Sequence, residues 1–204
     1  MRKQIIVIVG GVAAGASAAA KARRCCEDAE IIIFEKGPFI SYANCGLPYY
    51  LSGVIQKHQD LLIVNPSFFK KRFNVDVKIG HEVVDIEADH KQVTVKDLAS
   101  GQILIQAYDK LILAPGADPV ILPIPGNDLP FVFCLKTLQD TDKIYDFLKQ
   151  QQPRRAVVIG GGLIGMEAVE NLVLGGIETT VVEFLPQVLS FLDPEMAELV
   201  HRHL

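Results

Sequence analysis

The 204-residue chain is half apolar, carries a formal charge of −4 and contains four cysteines at no regular spacing. Its size allows one large core or two smaller ones, and its mildly acidic balance gives no electrostatic basis for nucleic acid or an anionic membrane as partner. The cysteine usage argues against a disulfide-stapled secreted fold and for a reducing, cytoplasmic setting in which thiols serve packing or chemistry.

The chain opens on MRKQIIVIVGGVAAGASAAAKARR, whose basic start, apolar run and small residues resemble a secretory leader. A buried parallel strand, a glycine turn and an Ala-rich helix fit these residues better. IIVIV is β-branched, Gly10 and Gly11 interrupt it, and Lys21, Arg23 and Arg24 close the helix with positive charge. The strand EIIIFE follows and ends in Glu35. No stretch of the chain is long and apolar enough to be expected to span a bilayer.

Cys45 comes next, in SYANCGLPYY, and neither C-x-x-C nor C-x4-C can be written around it. A thiol without context more often fills space in a core. The position of Cys45 shortly after an acid-terminated strand, between Asn44 and Gly-Leu-Pro, points instead to chemistry, whereas Cys25, Cys26 and Cys134 have no such setting and read as structural or incidental.

PSFFKKRF, residues 66 to 73, predicts a short helix opened by proline. VDVKIG, HEVVDIEA, KQVTVKD and QILIQA then alternate apolar and polar residues between turns such as ADHK and DLASGQ, and together predict an antiparallel meander. KLILAPGADP supplies a further strand, PIPGNDLP reads as an interdomain connection, and LQDTDKIYDFLKQ predicts a helix with Thr137 and Asp140 as candidate caps. A second strand, turn and helix follow in AVVIG, GGGLIG and MEAVENLVL, with a stop at Gly175 and Gly176 and a strand, ETTVVE, ending in Glu183. The last residues, DPEMAELVHRHL, predict one more helix. The five histidines fall at no metal-ligand spacing beyond a weak H-x-H near the end, so no metal site is expected.

The repetition of one βαβ pattern is the chain's most informative feature. A first glycine allows a tight turn, a second lets backbone approach a pyrophosphate, and a third lets helix pack on strand, so that phosphates meet helix N-terminal amides. An acid about 20 residues further on receives ribose hydroxyls. Gly160, Gly162, Gly165 and Glu183 fill every position of G-x-G-x-x-G plus acid; in the first copy Gly10, Gly15 and Glu35 match but Val12 replaces the middle glycine. A single such motif is often a turn without a ligand, whereas two with strand, helix and acid in place predict two nucleotide sites. A carboxylate at Glu183 would repel a 2′-phosphate, which favours NADH, with NADPH possible if other groups compensate.

Along its whole length the sequence resembles the flavin-dependent pyridine nucleotide-disulfide oxidoreductases, in which an FAD domain precedes an inserted NAD(P)H domain. LILAPGADP is similar to that family's crossing segment, which places Ala114 and Gly116 among the FAD contacts together with Gly10, Val12, Gly15 and Glu35. SYANCGLPYY resembles the single-cysteine branch, which holds coenzyme A disulfide reductases, NADH oxidases and NADH peroxidases. In that branch one thiol beside the flavin cycles through a mixed disulfide or a sulfenic acid. Oxidases and peroxidases of the branch carry a histidine where this chain has Val12, Ala13 and Ala14. GGVAAGAS and SYANCGLPYY together are most similar to coenzyme A disulfide reductases and related persulfide or polysulfide reductases.

The resemblance implies an α/β architecture: a Rossmann-like FAD-binding domain with an antiparallel β-meander over 1–115, a connection and helix over 116–153, and the start of a Rossmann-like NAD(P)H-binding domain over 154–204. Cys45 is the implied catalytic thiol, with FAD and NADH or NADPH as cofactors and a small disulfide or coenzyme A as partner. A helix beginning near Asn44 would turn amide dipoles toward the thiolate. Ser41 and Asn44 are candidate substrate contacts, and Arg23 and Lys71 match the branch's coenzyme A contacts, although charged helix residues usually only face solvent. The resemblance also implies that a second FAD segment, most of the NAD(P)H domain and tyrosines from the other subunit of a homodimer lie outside these 204 residues. Two other readings remain open: an NADH oxidase or peroxidase of the same family, and a nucleotide-binding module without catalytic activity.

Overall fold

The computed structural model describes residues 2–204. Its contacts divide the chain into two compact units, one built from residues up to Ala43 together with Leu62–Asp118, the other from Asn44–Leu61 and Pro119–Leu204.

The first unit is a parallel sheet with both faces covered. Strands β1 (Ile5–Val9), β2 (Glu30–Glu35), β3 (Val75–Ile79) and β7 (Lys110–Leu113) stand in the order β3-β2-β1-β7, and all three pairings are parallel. The β-branched run of β1 explains its central place, because a strand covered on both sides has no polar face to present. Ile6 and Ile8 join Ile31, Ile33, Ala16, Ala19, Phe69 and Val75 in one cluster with helices α1 (Ala13–Cys25) and α3 (Pro66–Phe73). Val7 points the other way, joining Ile32, Phe34, Val93, Val95 and Tyr108. Val93 and Val95 belong to a three-stranded antiparallel sheet of β4 (His81–Glu87), β5 (Gln92–Asp97) and β6 (Ile103–Ala107). Each fully buried aliphatic side chain of this sandwich contributes roughly 1.5–3 kcal/mol.

The antiparallel meander is thus one strand shorter than the sequence suggests. VDVKIG is β3, the edge of the parallel sheet, with Val75 paired to Ile31 and Val77 to Ile33. An edge strand is partly wetted along one face, so it acquires the same period-two pattern as a meander strand. Helix α3 is opened by Pro66 after Asn65, whose side chain accepts the Phe68 N–H, and closed by Asn74 in the left-handed region.

In the second unit β8 (Arg155–Ile159), α5 (Leu163–Leu174) and β9 (Glu178–Val182) form a parallel βαβ pair in register from Arg155↔Glu178 to Ile159↔Val182. Only one face of this two-stranded sheet is covered. Val158 lies half-buried beneath α5, whereas Val157 is 63% exposed. The unit also holds α2 (Leu47–Leu51), α4 (Leu138–Gln151) and α6 (Pro194–His201). Thr137 and Asp140 cap α4 reciprocally, each side chain accepting the other's backbone N–H. Among the described residues no helix is long and apolar enough to cross a membrane.

Candidate functional site

Both glycine turns are built by the same contacts. In the first, the Gly10 N–H donates to the Phe34 carbonyl at 2.8 Å, and the Gly11 N–H donates to Glu35 Oε2 at 2.7 Å. The other oxygen of Glu35 accepts the Gly37 N–H at 2.7 Å. In the second, the Gly160 N–H donates to the Val182 carbonyl at 2.8 Å, the Gly161 N–H to Glu183 Oε2 at 2.6 Å, and the Leu185 N–H to Glu183 Oε1 at 2.8 Å. A Cβ on Gly15 would overlap the Gly10 carbonyl, and one on Gly165 would overlap the Gly160 carbonyl, so in both folds the third glycine is what lets helix meet strand. The acid and the turn are therefore one hydrogen-bonded unit. Each carboxylate oxygen keeps a lone pair beyond the amide it accepts, so ribose hydroxyls can still be received.

The two acids differ in setting. Glu35 is buried at the end of β2, while Glu183 is half-buried. The amides of Leu185 and then Gly161 hold the Glu183 carboxyl below its ordinary value.

A cleft of about 140 Å³ opens beside the first turn, lined by Gly10, Glu35, His81, Val83 and Pro115 among others. It lies beyond the carboxyl ends of β1 and β2, and β1 is where strand order reverses, with β2 on one side and β7 on the other. That is where open α/β sheets hold their ligands. Val12 is the N-cap residue of α1 and offers no side-chain cap, which leaves the first amides of a 13-residue helix for an anion. The Ala114 N–H donates to the Val9 carbonyl at 2.8 Å, and its own carbonyl closes over Gly10. Gly116 has φ +73 with open space around its Cα. Ser41 also reaches this turn, its N–H donating to the Gly11 carbonyl at 3.1 Å. The residues present fit a dinucleotide at the first turn, with Glu35 toward a ribose and the α1 amides toward phosphate. His81 and Val83, which sequence reasoning left without a role, complete the cleft. They were invisible because β4 is brought there by the end of β3, a placement no local motif encodes.

At the second turn Gly162 is the N-cap of α5, and a Cβ there would meet open space. Those residues likewise fit a dinucleotide.

Arg23 sits at the opposite end of α1 from the glycine turn. Its guanidinium donates to the carbonyls of Phe73 at 2.7 Å and Asn74 at 2.8 Å, and also to those of Cys26 and Glu27. It thereby satisfies the carboxyl ends of α1 and α3 together. Lys71 is exposed on the last turn of the same α3, beside Lys70, which pairs with Asp76 at 2.8 Å. Arg23 and Lys71 are thus grouped, but away from Gly10 and Glu35.

Asn44, Cys45 and Gly46 form a 3₁₀ turn, and the α-helical segment begins only at Leu47. Asn44 and Cys45 are exposed, and both belong to the second unit, whereas Ser41 belongs to the first. All four cysteines are free; Cys25 is exposed as well, and Cys26 and Cys134 are half-buried. Among the described residues no group of three or more His, Cys, Asp or Glu could hold a metal ion.

The family model for pyridine nucleotide-disulphide oxidoreductases matches residues 4–204. The coenzyme A disulfide reductase of Staphylococcus haemolyticus is 38% identical over 200 residues, covering 98% of this chain and 44% of that relative. An NADH oxidase of Methanocaldococcus jannaschii is 35% identical, covering 97% of the chain and 44% of the relative. Among solved structures, the reduced CoADR-RHD of Bacillus anthracis superposes with a TM-score of 0.96 at 48% identity, covering all of this chain and 37% of its own. An NAD-dependent persulfide reductase from A. fulgidus superposes at 0.93 with 35% identity, covering 98% of this chain and 38% of its own. The chain thus spans less than half the length of these relatives.

Proposed function

The chain belongs to the pyridine nucleotide-disulphide oxidoreductase family, and on that footing we propose that it is the nucleotide-binding portion of a flavoenzyme that reduces a small disulfide with NADH. The observation that carries this reading is the pair of acid-clamped glycine turns. Gly10, Val12, Gly15, Glu35, Ala114 and Gly116 would hold FAD, and Gly160, Gly162, Gly165 and Glu183 would hold NADH. FAD, when bound, supplies a two-electron store that stands in for the second cysteine of a dithiol site.

Cys45 is the proposed nucleophile. Its thiolate attacks one sulfur of the substrate disulfide, the S–S bond breaks, one thiolate leaves and takes a proton from water, and a mixed disulfide remains on Cys45. Two electrons originating in NADH then cleave that bond, returning the Cys45 thiolate and releasing the second thiol after protonation. The sum is RSSR + NADH + H⁺ → 2 RSH + NAD⁺. The substrate class favoured is coenzyme A disulfide or a related persulfide or polysulfide, because the relatives named above carry those activities and because Val12, Ala13 and Ala14 leave no histidine at the first turn. Asn44 and Ser41 are proposed to contact substrate, and Arg23 and Lys71 its phosphates. Four free cysteines suit a reducing cytoplasm, and the full-length form is proposed to work as a homodimer.

The test is Cys45→Ser in the full-length enzyme. NADH-dependent reduction of coenzyme A disulfide should vanish while the flavin absorbance stays; retained reduction would refute the single-thiol mechanism. Oxygen or peroxide turnover above disulfide turnover would instead support the oxidase reading that the Methanocaldococcus relative represents.

A further inference from the structure

The Cys45 turn leads into α2, a helix of only five residues. A helix so short has no stability of its own in water, so its geometry is set by what its far end touches. Ser52, at the C-cap, donates its hydroxyl to Asn171 Oδ1 at 2.7 Å. Asn171 is fully buried on α5, and its Nδ2 donates to the Glu167 carbonyl at 2.8 Å, which directs Oδ1 toward Ser52. A second contact holds the same segment: Tyr50 stacks on Tyr145 of α4, with ring centroids 4.6 Å apart and planes at 17°. The α5 helix that carries Asn171 is the one whose first amides lie at Gly162. From Cys45 to Ser52 is seven residues, roughly 11 Å along helical backbone.

We propose that Asn171 is a positioning residue for Cys45: through Ser52 it seats the thiol-bearing turn on the phosphate-binding helix of the second nucleotide fold. Asn171 is the one polar side chain of α5 that is fully buried, and a buried amide persists only where its hydrogen bonds are used. Without the Ser52 hydroxyl, Asn171 Oδ1 loses its partner and the C-terminal end of α2 loses its side-chain hydrogen bond to α5, keeping the Tyr50 stack and its own backbone bonds. The turn at Asn44–Gly46 then samples more conformations. The consequence for turnover rests on the reading of Cys45 as the reactive thiol; the link itself does not.

The experiment measures iodoacetamide alkylation of Cys45 in the 204-residue chain by peptide mass spectrometry, with exposed Cys25 on α1 as internal reference. The Cys45/Cys25 rate ratio should rise about threefold or more in Ser52→Ala and in Asn171→Leu, and the double variant should exceed neither single, as expected of two residues acting through one bond. Ser52→Thr, which keeps the hydroxyl, should restore the parent ratio. General loosening would raise both cysteines and leave the ratio near the parent value. An unchanged ratio in Ser52→Ala, or the same ratio in Ser52→Thr as in Ser52→Ala, would overturn the proposal. Should Asn171→Leu fail to fold, the Ser52 pair carries the test. Failure of Cys45→Ser to abolish disulfide reduction would refute the proposed function while leaving this ratio untouched.

Discussion

The Gly161 N–H donates to Glu183 Oε2 at 2.6 Å, so the acid that directly follows β9 also holds the turn that follows β8. With the Leu185 N–H on its other oxygen, the carboxylate is favoured in its charged form and its pKa lies below the ordinary glutamate value. A depressed folded-state pKa contributes stability that is present above the unfolded value and lost as pH falls through the folded one. Glu183→Gln should therefore lower the melting temperature at neutral pH, and the gap from the parent should stay constant down to the ordinary carboxylate range and then close with further acidification. Asp97, also depressed because Ser100 and the Ala99 amide bond to it, titrates in both proteins and cancels. A gap that does not change with pH would show that the Glu183 charge does not support the turn.

The same carboxylate bears on nucleotide choice. Glu183→Arg removes the repulsion toward a 2′-phosphate and offers a bidentate partner for it. In the full-length enzyme the ratio of Kd values should move toward NADPH by about tenfold, equivalent to ~1.4 kcal/mol. Because the variant also gives up the Gly161 and Leu185 bonds, both affinities should fall in absolute terms. A ratio that stays put would locate the selector elsewhere.

The two turns match in backbone hydrogen bonding but differ at the middle position, Val12 against Gly162, and in crowding at the first glycine. Gly10 and Gly160 both have positive φ, +92 and +105, outside the range that side chains favour. A Cβ on Gly10 would also overlap the Ala114 carbonyl, whereas one on Gly160 would meet nothing within 4 Å. Gly160→Ala should then cost the backbone strain alone, about 1–3 kcal/mol, and Gly10→Ala more than ~4 kcal/mol. Hydrogen exchange of the β1 and β8 amides in denaturant reads each fold separately. Equal losses would contradict the role assigned to Ala114.

Much of this architecture was legible because it is local. The β-branched run at Ile5–Val9, the glycines that break it, and the acids at Glu35 and Glu183 are chemical requirements of one βαβ unit, met within some 30 residues. The proline-opened α3 and the capped α4 were legible for the same reason. What escaped was set by distant pairing. Val75 and Val77 alternate with polar neighbours as a meander strand would, yet they pair with Ile31 and Ile33, a choice made across 44 residues of chain. His81 and Val83 line the first cleft for the same reason, and the bond between Ser52 and Asn171 spans 119 positions. The residues AVVI are apolar throughout, yet a two-stranded sheet with one helix covers only one of the faces of β8.

Arg23 offers a final distinction between charge and geometry. Read from sequence it is a phosphate contact; in the structure its guanidinium is spread over the carbonyls of Cys26, Glu27, Phe73 and Asn74. A lysine keeps the charge but has no planar fork, so it can satisfy only part of that set. Arg23→Lys should cost about 0.5–1.5 kcal/mol of stability, the range for a hydrogen bond lost where water can reach the acceptors, visible as a lower denaturant midpoint. If phosphate attraction is also its task, the full-length Arg23→Lys enzyme should keep its KM for coenzyme A disulfide within about twofold, while Arg23→Ala raises KM with kcat little changed, the pattern of lost uniform binding. Equal KM values in the parent, lysine and alanine forms would leave Arg23 as the clasp between the ends of α1 and α3 and remove it from the substrate site.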